Sequence, residues 1–376
     1  MNKICYFINS DWYFNLHWLD RALSAKENGF EVFIITRFHG DEYFYKFSEL
    51  GFRCYRLPLK ERSYNFFGFF YSAIRAFYFL RQIGPSVLHC ITIKPIIIGG
   101  LYSKIKSKPM VANLVGLGRV FNAAGFCRKW LKKIVCSVYS YIFSNNKSRI
   151  VFEHDADFQT FRECVKFPEE NAVIIDGCGV DIKMYSFSYE NENDIPIVFF
   201  ASRMLHNKGL STLINIKNKL SIENINFRLL VAGILVDDDP DAIKSAEIQQ
   251  WVNSGDIEWL GTRNDIDTLI AQSNIVALPT LYPEGVPRIL IEGAAKGRAC
   301  IAYDSGGCKS IVIDNVTGYL IPKGDEAIFC SKLKKLLQHK SLRQSMGEKG
   351  RELVIEKFSS DDVIAKTINI YKTFRK

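Results

Sequence analysis

The sequence predicts an α/β protein made of two doubly wound, parallel-sheet domains in tandem. Three observations predict it. Short apolar runs of strand length alternate with helical patterns along the chain. One polar stretch, YENEND at 189–194, interrupts the alternation before Pro196, and the alternation then restarts. The 376 residues also exceed what one core usually serves, at ~150 residues per domain.

The elements follow in order. KICYFI (3–8) reads as a strand, and a helical pattern over 20–28 stops at Gly29. EVFIIT (31–36) is the second strand and FRCYRLP (52–58) contains the third. A long helix runs to Ile83 and ends at Gly84-Pro85. SVLHCI (86–91), PMVANLV (109–115), SRIVFE (148–153) and NAVIID (171–176) complete a first sheet. Past the polar stretch come IVFFAS (197–202), a helix near 210–219, FRLLVAG (227–233), a helix near 241–251 and IEWLG (257–261). A helix near 266–272, NIVALP (274–279), a helix near 288–296, ACIAYD (299–304) and a helical tail close the chain. The first domain is therefore expected at 1–188 and the second from 195, with 189–194 as the linker. Ligands of such sheets bind outside the carboxyl ends of the strands. Two such edges facing each other would frame a cleft.

Hydrophobic residues make up 48% and charged residues 24%, which excludes a disordered chain, a collagen-like fibre and a small disulfide scaffold. The ten cysteines form no C-x-x-C pair, so a reduced, cytoplasmic setting is expected. The opening MNKICYFINSDWYF is apolar too briefly before Asp11 to read as a signal peptide. The net charge of +9 lies entirely in residues 1–188, with 25 Lys and Arg against 16 Asp and Glu. From 50 to 152 there are 17 basic residues and one acidic residue, Glu61. Such a surface attracts polyanions, either nucleic acid or the anionic inner leaflet. The aromatic run at 64–80 holds Arg75 and has only 17 residues, whereas a span needs ~20. It reads as a core helix or as one resting on a bilayer surface. At 121–143, Arg128, Lys129, Lys132 and Lys133 share one helical face beside Trp130, Leu131 and Ile134, and we read it as a membrane-surface contact.

Three features fall at the carboxyl ends of strands in the second half. Arg203 and Lys208 lie five apart in a loop leading into a helix, a pairing suited to a diphosphate or to an ordinary solvated loop. In Tyr282-Pro-Glu284-Gly285-Val286-Pro287-Arg288-Ile-Leu-Ile-Glu292, Pro287 fits a first helical turn. The amides of Val286, Arg288 and Ile289 would lack intrahelical partners. Glu284, that amide group and Glu292 suit a ligand with phosphates and hydroxyls, although either carboxylate could sit on a helix surface. Asp304-Ser-Gly306-Gly307 reads as a turn opening a helix. In the first half, Gly116-Leu-Gly118-Arg119 follows a strand without completing a dinucleotide fingerprint. The pairs Asp155/Asp157 and Asp265/Asp267 read as surface carboxylates, and 237–239 as a solvated turn. His89 reads as a structural histidine inside a strand, and His17 lies near the end of the first strand.

The order R-x4-K-G, E-G-x-P-x4-E, D-x-G-G resembles the retaining nucleotide-sugar glycosyltransferases of family 4. SDWYFNLHW, PSVLHCITIKP, NLVGLGRVF and DGCGVDIKMYSF extend the resemblance towards the subgroup that builds bacterial O-antigen, capsule and other lipid-linked glycans. The resemblance implies a GT-B fold, with an acceptor domain at 1–188, a nucleotide-sugar domain at 195–360, and a last helix at 361–376 returning to the first domain. It implies that Arg203 and Lys208 hold the donor diphosphate, Glu292 the ribose, and Glu284 the donor sugar. Gly285, Val286, Pro287 and Arg288 would line the sugar and phosphates. Gly233, Gly261 and Thr262 would lie near the base. Asp11, His17, Gly116, Gly118 and Arg119 are expected on the acceptor or sugar side. Where many members carry T-x-H-G, this chain reads Asn113-Leu-Val-Gly116-Leu-Gly118, and the early loop has Asn9-Ser-Asp11-Trp12 in place of a G-G pair.

The implied reaction moves a sugar, with retention, from a UDP-N-acetylhexosamine to a saccharide on undecaprenyl diphosphate. The enzyme would work at the cytoplasmic face of the inner membrane, with neither metal nor cofactor and with no nucleic-acid partner. The competing readings are an epimerase on the same scaffold and a basic nucleic-acid-binding protein, the latter leaving the second-half constellation unexplained.

Overall fold

The computed structural model describes residues 2–60, 65–117, 121, 126–144, 147–192, 194–236, 239–282 and 285–374, with backbone alone at 126–129. They form two compact units, Met1–Ile175 with Val363–Lys376, and Asp176–Asp362.

The first unit holds a seven-stranded sheet in which every pairing is parallel. Its strands are β1 (Asn2–Ser10), β2 (Phe30–Arg37), β3 (Arg53–Arg56), β4 (Val87–Ile91), β5 (Met110–Leu114), β6 (Ser148–Phe152) and β7 (Ala172–Ile174), in the order β3-β2-β1-β4-β5-β6-β7. The central strands are buried on both faces, which is why they read as unbroken apolar runs. One face carries α4 (Phe66–Ile83), α5 (Ile93–Lys106) and α6 (Phe126–Phe143). The other carries α1 (Asp11–His17), α2 (Leu19–Glu27) and α3 (Glu42–Glu49). The short α7 (Asp155–Arg162) follows β6.

The second unit repeats the plan with six parallel strands. They are β8 (Ile197–Arg203), β9 (Arg228–Ile234), β10 (Glu258–Trp259), β11 (Ile275–Leu278), β12 (Ala299–Tyr303) and β13 (Gly318–Ile321), ordered β10-β9-β8-β11-β12-β13. Its helices are α8 (Leu210–Ile222), α9 (Ser245–Asn253), α10 (Ile266–Gln272), α11 (Arg288–Ala295), α12 (Cys308–Ile311), α13 (Glu326–Gln338) and α14 (Lys340–Lys357). In each sheet the strand order reverses beside the first strand, and a ligand crevice is expected at that switch point.

The expected boundary at 188 and the expected linker at 189–194 are both displaced. Residues 176–188 belong to the second unit. There Val180 bridges to Ser359, and Arg351 donates to the carbonyls of Tyr185 and Ile182. The polar YENEND stretch is strapped down through one buried charge, Glu190, while Glu192 and Asp194 stay exposed. Glu190 accepts from Arg343 at 2.9 and 2.8 Å, and Arg298 donates to the carbonyls of Ser188, Ile270 and Ala271.

The last helix, α15 (Ser360–Lys372), buries Val363, Ile368 and Tyr371 among the residues of β1, β2 and β4. His89, in the middle of β4, bonds Tyr371 Oη through Nδ1 at 2.6 Å, and Tyr371 donates onward to Tyr6 at 3.2 Å. Its Nε2 has no partner, so the structural role expected for His89 is met at one nitrogen only. Burial, reinforced by the charge of Arg21, pushes the imidazole down to about 3. An unfolded histidine accepts its proton near 6.5. The neutral form therefore stabilises the fold fully above that value, and this contribution is lost as pH falls from 6.5 towards 3. At pH 5 the loss is about 2 kcal/mol. His89→Gln should flatten the acid limb of a melting-temperature profile relative to wild type; superimposable acid limbs would contradict the assignment.

Candidate functional site

The site of the second unit is assembled by its switch point. β8 and β11 are neighbours in space though not in sequence, so the loops after them run side by side. The Asn207 carbonyl accepts from the Leu281 amide at 2.8 Å. Lys208 is buried, and its ammonium sits 5.2 Å from the centre of the Tyr282 ring. Gly209 has φ 86°, and a Cβ there would lie 2.0 Å from the Pro279 carbonyl oxygen. Both its backbone conformation and the neighbouring strand end therefore demand glycine. Arg203, at the end of β8, is half-buried, and its guanidinium makes no ion pair or side-chain hydrogen bond among the described residues. An uncommitted cation at a carboxyl strand end is available to an anionic ligand.

Pro287 is the N-cap of α11 and not its first-turn residue: its carbonyl receives the amides of Leu290 and Ile291. The amides of Val286 and Ile289 have no partner among the described residues. Glu292 is only 6% exposed, and its Oε1 accepts from Arg288 Nε at 2.7 Å and from Tyr185 Oη at 2.8 Å. Burial and the Glu292 charge hold the Tyr185 phenol well above its usual range. Burial alone would lower the Arg288 guanidinium, but the charge and hydrogen bond of Glu292, with Cys178 and Tyr185, together outweigh it and keep Arg288 protonated. The carboxylate is thus fixed by two donors at one oxygen. Glu284 lies outside the described residues, as do Gly118 and Arg119.

The D-x-G-G turn supports this loop. Ser305 Oγ donates to the Tyr282 carbonyl at 2.7 Å, and a Cβ on Gly307 would lie 2.5 Å from the Gly285 carbonyl oxygen. Gly233, Gly261 and Thr262 also meet: the Gly233 amide donates to the Gly261 carbonyl at 2.9 Å, and Thr262 Oγ1 donates to the Gly233 carbonyl at 3.2 Å. They lie at the carboxyl ends of β9 and β10.

In the first unit, Asp11 is only 1% exposed, so it cannot itself meet a sugar. Its Oδ1 accepts from the Trp12 amide at 2.8 Å and lies 2.7 Å from His39 Nδ1, and its Oδ2 accepts from the His39 amide at 2.8 Å. The group presented is the His39 imidazole, whose side chain is 43% exposed. The sequence offered no motif for this pair, because its members come from different strand ends. His17 sits at the far end of α1, 4.5 Å from the Tyr13 ring, well away from the strand end. Gly116 takes φ 69° in the loop after β5. Thr92, at the end of β4, holds φ 73°, a strained conformation for a β-branched residue at a switch point.

Two acidic readings change. Asp157 is not a surface carboxylate: burial, only partly offset by the Leu117 amide, pushes it up to about 7, with His154 Nε2 at 3.3 Å. Asp239 is buried within the turn expected to be solvated.

Residues 181–353 match the family described as glycosyl transferases group 1, and residues 3–152 match glycosyl transferase 4-like. The N,N'-diacetylbacillosaminyl-diphospho-undecaprenol alpha-1,3-N-acetylgalactosaminyltransferase of Campylobacter jejuni is 25% identical over 342 residues, 86% of each chain. The capsular polysaccharide biosynthesis glycosyltransferase CapM of Staphylococcus aureus is 26% identical over 220 residues, 55% of this chain and 57% of that one. Anabaena HepE, solved with UDP and glucose, shares the fold at a TM-score of 0.79 and 16% identity, covering 99% of this chain and 100% of that one. The chain belongs to the family-4 glycosyltransferases, with the α/β GT-B fold. It is an enzyme that transfers glycosyl groups.

Proposed function

We propose that this enzyme moves a sugar, with retention, from a UDP-N-acetylhexosamine to a saccharide carried on undecaprenyl diphosphate, at the cytoplasmic face of a membrane and during surface-polysaccharide synthesis. The observation that carries the reading is the paired loops after β8 and β11, which bring Lys208 beside the segment bearing the free Val286 and Ile289 amides. The N-acetylgalactosaminyl transfer and diphospho-undecaprenol in the name of the Campylobacter relative, and the capsule in that of CapM, support the donor, acceptor and pathway.

In the reaction, the bond from the anomeric carbon to the diphosphate oxygen breaks and a bond to an acceptor hydroxyl forms on the same face. The departing phosphate oxygen takes the hydroxyl proton. Arg203, Lys208 and the amides accept the charge of the leaving group, without a bound metal or cofactor. Glu292 receives the ribose hydroxyls, Glu284 contacts the sugar, and Gly285 lets backbone approach it. Gly233, Gly261 and Thr262 face the base. On the acceptor side, His39, fixed by Asp11, offers Nε2 to an acceptor hydroxyl, and the roles expected of Gly116, Gly118 and Arg119 are likewise on the acceptor or sugar side.

The test combines a thermal-shift screen of UDP, GDP and their sugars with transfer to an undecaprenyl-diphospho-saccharide. UDP-N-acetylhexosamine should stabilise the protein and give an α-linked product that persists in EDTA. Stabilisation by GDP alone would refute the donor, a β-linked product the retention, and EDTA loss reversed by Mg²⁺ or Mn²⁺ the side-chain field. Turnover of donor without acceptor would point to an epimerase.

A further inference from the structure

Helix α4 is apolar on two opposite sides. Ser72, Ala76, Leu80 and Ile83 form the stripe packed on the sheet. Phe67, Phe70, Tyr71, Ile74 and Tyr78 form a second stripe, about half a turn away, that faces outward. Phe67 is 85% exposed. A helix apolar all round belongs in a core or in lipid. Yet α4 has 18 residues, and no described helix is long and apolar enough to cross a membrane. The outer stripe of α6 repeats the pattern, with Trp130, Ile134 and Tyr141 exposed opposite buried Val135, Tyr139 and Ile142. Both helices pack on α5, on one face of the sheet, so the two stripes belong to one layer. At its end α5 adds exposed Ile105 between Lys104 and Lys106. A patch of this composition marks an interaction site.

The charges select the partner. From 62 to 152 the sequence has no Asp or Glu, and the layer carries Arg75, Arg81, Lys104, Lys106, Lys132 and Lys133. Arg75 lies 5.8 Å from the Tyr71 ring and Lys104 lies 5.4 Å from the Tyr141 ring. Cations beside aromatic rings are the residues that populate the headgroup level of a bilayer, and each basic residue near an anionic surface adds ~1 kcal/mol. A second copy seated here would bring like charges together. A nucleic acid would leave the aliphatic members, Ile74, Ile105 and Ile134, without apolar cover.

We propose that the outer face of α4 and α6 is a membrane-docking surface that lies in the interface of a bilayer containing anionic lipid. Phe67, Phe70 and Tyr71 enter the boundary between headgroups and acyl chains, and the lysines and arginines meet the phosphates. The docking deepens the lipid-linked reading of the acceptor, and rests on it for its purpose: it brings a membrane-held substrate to the first unit.

The test is flotation of the full chain with vesicles of phosphatidylcholine alone or mixed with phosphatidylglycerol, with no acceptor present. Wild type should bind the anionic vesicles and release at high salt. A Phe67→Ser/Phe70→Ser/Tyr71→Ser variant, altered only at exposed positions, should bind at least about tenfold more weakly. The tryptophan emission should shift blue on vesicle binding, and Trp130→Phe should lose part of that shift. The triple variant should keep wild-type turnover on a water-soluble acceptor and lose it on a vesicle-held one. Equal binding by wild type and triple variant, indifference to anionic lipid, self-association that the triple variant abolishes, or nucleic acid as the preferred ligand would each overturn the proposal. Vesicle binding without transfer to any lipid-linked saccharide would refute the acceptor reading and leave the docking intact. Transfer without vesicle binding would do the reverse.

Discussion

Lys208→Ala should lower turnover by ~10²–10³ while the protein stays folded. The effect follows from where the ammonium sits. It is buried at the carboxyl edge of the sheet, held over the Tyr282 ring and beside the segment whose Val286 and Ile289 amides are free. A desolvated cation cannot be replaced by water as negative charge grows on a departing diphosphate, so its loss falls on the transition state. kcat should therefore drop more than donor affinity. Glu292→Gln should behave differently. Its carboxylate is fixed through Oε1 by Arg288 and Tyr185, leaving Oε2 for hydroxyls that are present in ground and transition states alike. The expected loss is ~10–100-fold in kcat/KM, mostly through KM. Steady-state kinetics with circular dichroism on both variants separates the two roles. Unchanged turnover in Lys208→Ala would remove the cation from the mechanism.

The alternation of strands and helices was legible because each central strand is buried on both faces and so reads as an apolar run of fixed length. The three second-half features were legible for a related reason. Each sits where a strand of a doubly wound sheet ends, and the spacing to the next helix is short. β13 was missed, since GYLI is only four residues and stands directly before the long helical tail. α3 was missed although Tyr43 and Phe47 share one helical face, because eight residues are too few for a helical period to stand out.

Long-range contacts were not legible. Nothing in the sequence joins Gly307 to Gly285, so the D-x-G-G turn reads alone as an ordinary loop; its meaning is the backbone approach that a Cβ would block. Asp11 stood out as an early carboxylate, yet His39, 28 residues on, is the group it presents. The polar stretch at 189–194 misled for the same reason. Low hydropathy signals solvent only when charges stay unpaired, and here the partners of Glu190 come from Asn274 and Arg343, far along the chain.

That buried pair leads to the largest expected effect on stability. Arg343 gives Glu190 two hydrogen bonds and also donates to the carbonyls of Leu336 at 2.6 Å and Leu337 at 3.1 Å, where α13 ends. Arg343→Met keeps much of the apolar stem. It leaves a buried carboxylate whose one remaining hydrogen-bond donor among the described residues is the Asn274 amide, at 3.0 Å, and strips two carbonyls of a donor. Removing one partner of a buried pair costs about 3–5 kcal/mol. For a unit of this size that is a drop of roughly 6–20 °C in melting temperature. Adding Glu190→Gln should return a large part of it, because a neutral amide no longer needs a cation, and the double-mutant cycle then reports a coupling well above the scatter between independent sites. Additive effects, or a loss under about 1 kcal/mol in the single variant, would mean that solvent reaches the pair. The strap would then be a surface feature, and the chain between Ile175 and β8 would regain the freedom that the polar composition of 189–194 first suggested.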